Sequence, residues 1–205
     1  MPFLVLDLEM SGPDPEYNEI IQIGAVLFDD DWLEKGRYLT NVYPENKEAF
    51  TASAEKVHNL SLSDLEEAPM IYDVIPELET WIITTLGIRK QGNGPDNTPY
   101  LRHVVICGQS VMNDIQFLKE AYRLEKLKWP YSRVLVDLHT LSYFVFRLLK
   151  KKGKNTPRGL SLTDIARHFD LEREDDFHNA LEDAVLTAAC LKRLFQLGDG
   201  FQLPA

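Results

Sequence analysis

Three short β-rich segments follow one another at the N-terminus, with no room for helices between them. They cover residues 3–9, 19–28 and 36–43 and are separated by turn residues. Parallel neighbours need a crossover of a dozen or more residues, so these segments are predicted to pair antiparallel. This spacing constrains the first half of the fold more strongly than any other feature of the sequence.

The second half of the sequence alternates strands with helices. The apolar periodicity and turn residues predict helices at 71–86, 112–124, 138–151, 162–169 and 180–195, strands at 103–107 and 134–137, and a loop at 91–99. Alternation of this kind is typical of parallel βαβ units. We therefore predict an α/β fold in which three antiparallel strands and then parallel βαβ units form one mixed sheet flanked by helices. A single domain is expected over residues 1–198, with a C-terminal tail at 199–205.

Composition limits the classes of function. The 205 residues are 44% hydrophobic, which suits one globular domain. No apolar stretch reaches the roughly 18 residues of a membrane span, and the N-terminus lacks a secretion signal. Cys107 and Cys190 lie in apolar contexts and are expected to be buried free thiols. We therefore expect a cytoplasmic protein with no membrane partner. A net charge of −10 argues against a protein that coats duplexes, but not against a nuclease whose acids surround metal ions.

Two carboxylates interrupt the apolar first strand. Asp7 and Glu9 are two residues apart, so in a strand both side chains project from the same face. A shared proton, a basic partner or a bound cation would offset their repulsion. The alternative is a frayed strand end with both acids solvated, because a Ser-Gly-Pro turn follows.

Two further acids and a histidine occupy helix starts. Asp114 falls in the first turn of a predicted helix, where it either complements the helix dipole or faces a ligand at the sheet edge. Asp183 borders an apolar stripe made by Leu181, Ala184, Val185, Ala188 and Leu191. A charged residue beside a core face needs a partner or a metal ion. His178 precedes Asp183 by five residues and is either a packed histidine or a residue that reaches the same site from the loop.

Together, these motifs resemble the DEDDh 3′–5′ exonucleases, which have a ribonuclease-H-like fold. The resemblance rests on Asp7-x-Glu9 in the first strand, Asp114 at a middle helix and His178-x₄-Asp183 at the last helix. It implies two divalent cations, Mg²⁺ or Mn²⁺, held by Asp7, Glu9, Asp114 and Asp183. It also implies that His178 is the general base and that the substrate is a single-stranded 3′ end, of DNA or RNA. Similarity to the oligoribonuclease branch raises a homodimer as a candidate assembly.

The resemblance also suggests residues that contact the nucleic acid. Met10, Ser11 and Gly12 follow the two acids at the positions that hold the last nucleotide in the family. His58 and Leu60 are candidates for the same pocket, and Leu60 is equally consistent with a core position. Phe117 lies one helical turn after Asp114 and is expected either in the cleft or in the core.

The clearest cationic run lies between Arg147 and Arg158. It carries six positive charges and no acid. The run is either a solvated helix end or a track for the phosphate backbone through Lys150, Lys151 and Lys152.

Two other functional classes are consistent with such a fold. A ribonuclease-H or transposase-type endonuclease also uses clustered acids, although the His-x₄-Asp ending does not suggest one. A non-catalytic nucleic-acid-binding module is the second alternative, and the intact set of five residues favours an enzyme over it.

Overall fold

A mixed sheet organises the chain in the computed structural model, which describes residues 1–92, 94, 96–172 and 179–199. Its strands are β1 (Phe3–Met10), β2 (Ile20–Phe28), β3 (Glu34–Asn41), β4 (Val105–Gly108) and β5 (Leu135–Asp137). Their order across the sheet is β3-β2-β1-β4-β5. The pairs β1–β2 and β2–β3 are antiparallel, whereas β1–β4 and β4–β5 are parallel. The predicted mixed α/β sheet is confirmed.

The helices cover both faces of this sheet. They are α1 (Ala52–His58), α2 (Ile71–Thr85), α3 (Thr98–Leu101), α4 (Met112–Leu124), α5 (Leu138–Lys151), α6 (Leu162–His168) and α7 (Ala180–Asp199), with 3₁₀ turns at Lys47–Ala49 and Leu62–Leu65. The bounds of α4 and α5 are those predicted from periodicity. Helix α7 continues to Asp199, beyond the predicted end near residue 195. Residues 200–205 lie outside the described part of the chain, so the domain boundary at 198 stays a prediction.

Helix α1 was not predicted from the sequence. It begins after Thr51, whose hydroxyl accepts a hydrogen bond from the backbone N–H of Ala54 at 3.2 Å. It ends at Asn59, which adopts the left-handed conformation with φ of 56°. A helix of seven residues shows too little periodicity to be recognised from hydrophobic pattern alone.

Two apolar cores lie on opposite faces of the sheet. Leu4, Leu6 and Leu8 of β1 face the core formed with α2 and α4. Val5 points to the opposite face of the strand, toward the core formed with α5, α6 and α7. Asp7 and Glu9 lie on the same face of the strand as Val5, so they also project toward the layer that contains α7. Cys107 and Cys190 are buried in the second core as free thiols, as predicted. None of the described helices is long and apolar enough to cross a membrane.

The start of α7 lies directly on β2. A Cβ atom at Gly24 would lie 2.1 Å from the carbonyl carbon of Ala180 and 2.2 Å from the backbone nitrogen of Leu181. Only a glycine therefore allows the helix backbone to approach the strand this closely. Gly24 pairs with Asp7 across the β1–β2 ladder, so this contact places the first turn of α7 beside the acids of β1.

The buried face of α7 differs from the predicted stripe. Leu181 and Val185 are only partly buried, whereas Asp183 and Thr187 lie on the buried face with Ala184, Ala188 and Leu191. All five residues of the predicted stripe lie in the second core or pack against it, but the prediction was incomplete because it counted only apolar residues and left out Asp183 and Thr187. Asp183 is 5% exposed and therefore lies on the packed surface of the helix, not at its border.

We expect Gly24→Ala to destabilise the protein. The added methyl group has no space against the α7 backbone, which cannot move without losing its contacts with β1 and β2. The expected loss in unfolding free energy is about 1–3 kcal/mol in urea denaturation. Gly94→Ala is the matched control, because a Cβ atom there would meet nothing within 4 Å. Equal stabilities of the two variants would contradict the close approach.

Candidate active site

The first strand places two carboxylates on one face at the end of β1. Asp7 pairs with Gly24 and Glu9 pairs with Gln22 on β2, so both acids are in regular ladder register. Glu9 is only 8% exposed. The alternative of a frayed, solvated strand end is therefore wrong, and the two acids point toward the helical layer that contains α7.

Asp183 completes a group of three carboxylates. One oxygen atom each from Asp7, Glu9 and Asp183 can be chosen so that all three lie within 4.8 Å of one another. Asp183 lies in the first turn of α7, and this turn packs against β2. Three acids this close in a partly buried site repel one another strongly unless positive charge or protons offset the repulsion.

Asp114 lies next to this group but belongs to the other helical layer. It occupies the first turn of α4, as predicted, and is 6% exposed. Its Oδ1 atom accepts a hydrogen bond of 3.0 Å from the backbone N–H of Leu8, the residue between Asp7 and Glu9. Burial raises the pKa of the Asp114 carboxyl to about 7, and the Leu8 N–H partly opposes this rise. The carboxylate is thus held against the strand that carries the other acids.

Asp137 links the start of α4 to the start of α5. Its Oδ2 atom accepts from the backbone N–H of Val111 at 2.9 Å, and its Oδ1 atom accepts from the backbone N–H of Thr140 at 2.7 Å. Asp137 is therefore the N-terminal cap of α5. Its negative charge also contributes to the raised pKa of Asp114, so the two carboxylates are close enough to interact electrostatically.

Gln22 and Asn179 hold the first turn of α7 in place, and sequence reasoning missed both. The Oε1 atom of Gln22 accepts from the backbone N–H of Ala180 at 3.0 Å, and its Nε2 atom donates to Asn41 Oδ1 at 2.8 Å. The Oδ1 atom of Asn179 accepts from the backbone N–H of Leu181 at 3.0 Å, which caps the helix. A glutamine inside an otherwise apolar buried strand was the available signal for Gln22.

His178 lies outside the described residues. It directly precedes Asn179, the residue that caps the helix carrying Asp183. Its predicted role as the general base therefore stays a prediction.

A cavity of about 390 Å³ opens beside Glu9. Its lining includes Met10 at the end of β1, Gly12 just after it, and Thr51, Val57 and His58 around α1. Three of the residues predicted to contact a nucleotide, Met10, Gly12 and His58, are therefore brought together next to the carboxylates. Helix α1, which was missed, provides one wall.

A backbone contact fixes the ring of His58, which lines this cavity. Its Nδ1 atom accepts a hydrogen bond of 3.0 Å from the backbone N–H of Leu60, so the neutral ring carries its proton on Nε2. The ring is 3% exposed, and the buried Nε2 atom has no hydrogen-bond partner within the described structure. Burial lowers the pKa of His58 from its ordinary value of 6.5, which keeps the ring neutral near pH 7.

Three other residues predicted to contact the nucleotide do not line this cavity. Ser11 is fully buried, and its hydroxyl accepts from the backbone N–H of Glu19 at 2.9 Å. Leu60 does not line the cavity and instead donates its N–H to His58. Phe117 is buried in the α2–α4 core, which was one of the two positions expected for it, and borders a different groove. At Gly12, the group packed against the backbone is the side chain of Asn18: a Cβ atom there would lie 2.5 Å from Asn18 Nδ2.

The predicted cationic contacts lie at the far end of α5. Lys150 and Lys151 are exposed in its last turn, and Lys152 follows as the C-terminal cap. None of the three lines the cavity beside Glu9. Their role in binding stays a prediction.

Comparison with known proteins identifies the family. The sequence model of the family RNase_T, described as an exonuclease, matches residues 4–191. The chain belongs to the DEDDh exonuclease family.

Relatives of this exonuclease include enzymes with different names. It is 28% identical over 197 residues to the DNA polymerase III subunit epsilon of Aquifex aeolicus, covering 95% of this chain and 80% of the relative. It is also 28% identical to the oligoribonuclease of Vibrio campbellii, covering 66% of this chain and 70% of that protein. A third relative, the 3′-5′ exonuclease DinG of Staphylococcus haemolyticus, is 26% identical, but the matched region is only 18% of its length.

Solved structures share the exonuclease fold at lower identity. The nuclease domain of 3′hExo, a DEDDh family member bound to rAMP, superposes with a TM-score of 0.72 at 17% identity and covers 100% of this chain and 96% of that domain. Escherichia coli Exonuclease I in complex with a dT13 oligonucleotide gives a TM-score of 0.74 at 15% identity, covering 97% of this chain and 42% of that protein. The predicted ribonuclease-H-like fold is thereby confirmed.

The carboxylate group of the exonuclease has the donor chemistry of a divalent-cation site. Asp7, Glu9 and Asp183 offer hard oxygen ligands from rigid elements, as Mg²⁺ and Mn²⁺ prefer. A second group with similar spacing, Asp29, Asp30 and Asp31, lies in the exposed β2–β3 turn, where Asp29 already accepts from the backbone N–H of Leu33 and forms an ion pair with Lys35. The buried group fits a metal ion better than this turn does.

We expect Mg²⁺ and Mn²⁺ to stabilise the protein through the buried carboxylates. At a free ion concentration 100-fold above the dissociation constant, the gain is about 2.7 kcal/mol, seen as a higher thermal midpoint. Asp7→Asn should raise the midpoint of the metal-free protein, because it relieves repulsion, and should remove most of the metal-induced rise. Asp30→Asn is the matched control from the exposed turn. If the metal-induced rise in thermal midpoint is lost in Asp30→Asn and kept in Asp7→Asn, the ion binds at the exposed turn and not at the buried carboxylates.

We expect the stability of the protein to fall at acid pH partly through His58. Because burial lowers its pKa in the folded state, the unfolded chain binds a proton at this ring at higher pH. The contribution of His58 is therefore fully present above about pH 6.5 and is lost as the pH falls toward the lower, folded-state pKa. Thermal midpoints measured between pH 7.5 and 5.5 should fall less steeply for His58→Gln than for the native protein. The exposed His139→Gln should keep the native slope.

Proposed function

We propose that this protein is a 3′–5′ exonuclease that hydrolyses phosphodiester bonds at the 3′ end of single-stranded nucleic acid. The observation that carries the proposal is the convergence of Asp7, Glu9 and Asp183 beside a cavity of about 390 Å³. The reaction class, hydrolysis by an exonuclease, is inferred from membership of the exonuclease family. The cavity lies within the size range of small-molecule sites, which suits one terminal nucleotide.

The carboxylates would hold two divalent cations, Mg²⁺ or Mn²⁺. Asp7, Glu9 and Asp183 supply the converging oxygen atoms, and Asp114 is held against the same strand by the Leu8 N–H. Such ions supply a nucleophile derived from water and neutralise charge on the leaving oxygen. A structure of Escherichia coli Exonuclease I with bound zinc supports the capacity of this fold to hold a divalent ion.

His178 would accept the proton of the attacking water. Its ordinary pKa of about 6.5 suits proton transfer near neutral pH. Two features support its position at the site: it comes directly before the cap of α7, and that helix carries Asp183 in its first turn. Anchoring of Ala180 to Gln22 would therefore help to orient both the base and the carboxylate.

The cavity beside Glu9 would hold the terminal nucleotide. Met10 offers an apolar, adaptable contact for a base, and the ring of His58 forms part of the wall. The backbone N–H of Leu60 fixes the tautomer and the orientation of that ring. A pocket of a size that suits one nucleotide, next to Glu9, favours removal of residues from an end over cleavage within a strand.

The sugar preference is left open between DNA and RNA. One relative is named for DNA polymerase III and another is an oligoribonuclease, so both chemistries occur among the relatives. Discrimination would require a contact to the 2′-OH group. A homodimer and a cytoplasmic location also stay predictions.

We expect metal-dependent shortening of 5′-labelled single-stranded oligomers from their 3′ ends. Matched DNA and RNA oligomers are incubated with Mg²⁺, Mn²⁺ or EDTA and resolved as a ladder. Asp7→Asn should lower the rate at least about 100-fold, because it removes charge stabilisation at the reacting phosphate. His178→Ala should also be slow, and Asp30→Asn should match the native protein.

A circular single strand separates the alternatives. Cleavage of the circle would show an endonuclease of the same fold. Binding of oligomers without cleavage, under conditions where the thermal midpoint shows bound metal, would indicate a non-catalytic binding module. Either result would overturn the proposal.

A further inference from the structure

One exposed face of α5 combines aromatic and cationic side chains. Tyr143 is 55% exposed and Phe144 is 59% exposed, and both lie on the side opposite the buried residues Leu138, Ser142, Val145 and Phe146. At 3.6 residues per turn, the same face carries Arg147, Lys150 and Lys151. We define these five residues, Tyr143, Phe144, Arg147, Lys150 and Lys151, as the α5 ribbon.

The ribbon begins near the candidate active site. Helix α5 starts at the carboxyl end of β5, two strands from β1 and therefore about 10 Å from it. Its capping residue, Asp137, also contacts the start of α4, which carries Asp114. From Tyr143 to Lys151 the ribbon extends about 12 Å along the helix, away from this edge. This length corresponds to roughly three to four nucleotides at the 3.4 Å rise of a stacked strand.

Charge favours an anionic partner on this face. The chain has a net charge of −10, yet residues 138–158 contain six Lys or Arg and no Asp or Glu. The charge continues past α5, because Arg158 and Arg167 line a cavity of about 460 Å³ in the following segment. Asp164 is the acid in that lining, and its Oδ2 atom accepts from the hydroxyl of Ser161 at 2.7 Å.

The aromatic rings favour a nucleic acid over other polyanions. Bases stack on exposed aromatic rings, and interleaved cations contact the phosphates, which is how single strands are bound without sequence preference. The side chain of Tyr143 is already oriented by Arg147, whose Nη1 atom donates to the Tyr143 hydroxyl at 3.1 Å. A second copy of this chain is a poorer occupant, because a symmetric contact would bring the cations of both copies together.

We propose that the α5 ribbon binds the part of a single-stranded nucleic acid that lies 5′ of the cleaved bond. The two aromatic rings stack on bases, and the three cations contact phosphates. The proposal rests on the proposed function for the direction of the strand, but the binding itself does not require catalysis.

The first test measures how KM depends on oligomer length. For the native protein, KM should fall as the oligomer grows from two to about eight nucleotides and then become constant. In the double variant Tyr143→Ala/Phe144→Ala, the ratio of the KM for two nucleotides to the KM for eight should be at least about fivefold smaller than in the native protein. The kcat on a dinucleotide should stay native, since a dinucleotide does not reach the ribbon.

Matched controls come from the opposite layer and from other loops. Tyr72→Ala removes an equally exposed aromatic ring, 51% exposed, from α2, and should keep the native length dependence. Lys90→Gln/Lys126→Gln removes two cations outside the ribbon and is compared with Lys150→Gln/Lys151→Gln. Thermal midpoints of all variants verify that each is folded.

The second test measures binding without turnover. Fluorescence anisotropy of a 5′-labelled 12-nucleotide strand is followed in the Asp7→Asn background at several salt concentrations. Lys150→Gln/Lys151→Gln should weaken binding and reduce the slope of log affinity against log salt by about one per lost phosphate contact. If the native protein does not cleave but this binding still depends on the ribbon, the proposed function fails and the ribbon proposal survives.

Three results would overturn the ribbon proposal. One is equal loss of affinity for dinucleotides and long strands, which would indicate a general structural effect. Another is unchanged binding of long strands by both ribbon variants. The last is a native dimer that becomes monomeric in Tyr143→Ala/Phe144→Ala by light scattering while length dependence is kept, which would assign the face to a second copy of the chain.

Discussion

The contact between α7 and β2 determines the geometry of the whole site. Gly24 lets the helix backbone lie against the strand, and Gln22 accepts the first N–H group of the helix. These two residues pair with Asp7 and Glu9 on the neighbouring strand. The position of Asp183 relative to the other acids is thus set by backbone packing and one buried hydrogen bond. Attraction among the carboxylates cannot do this, because in the absence of positive charge they repel one another.

The cavity beside Glu9 shows a second use of rigid local structure. His58 lies at the last turn of α1, and the chain turns at Asn59 so that the Leu60 N–H meets the ring of His58. This short turn fixes both the orientation and the tautomer of the ring. Burial then keeps the ring neutral by lowering its pKa. A neutral donor beside an acidic group avoids an ion pair that would compete with a bound cation.

Much of the fold was predictable because its elements are long or strongly patterned. Helices α4 and α5 have clear apolar periodicity, and the short spacing of the first three strands required antiparallel pairing. Strand alternation predicted that the two acids of β1 share one face. By contrast, α1 was missed because it is short. The part of the cavity lining that α1 provides was therefore not predicted either.

The unpredicted parts of the site depend on contacts between distant residues. Gln22 and Ala180 are separated by 158 positions, so no local pattern reveals their hydrogen bond. Ser11, which we expected at the nucleotide, instead uses its hydroxyl to accept the backbone N–H of Glu19 across a turn, a contact that hydrophobic pattern does not reveal. For Phe117, helical spacing correctly placed it one turn after Asp114, but which side of that turn faces the core is a tertiary property. Family resemblance supplied the grouping of acids, and only the packed structure shows how it is built.

The acids come from both sides of the sheet. Asp183 belongs to the layer with α5 and α6, whereas Asp114 belongs to α4 in the opposite layer. The carboxyl end of β1 lies between them. A chain in which only one layer has docked would therefore present an incomplete set of ligands. The complete set of carboxylates therefore requires both helical layers to be packed on the sheet.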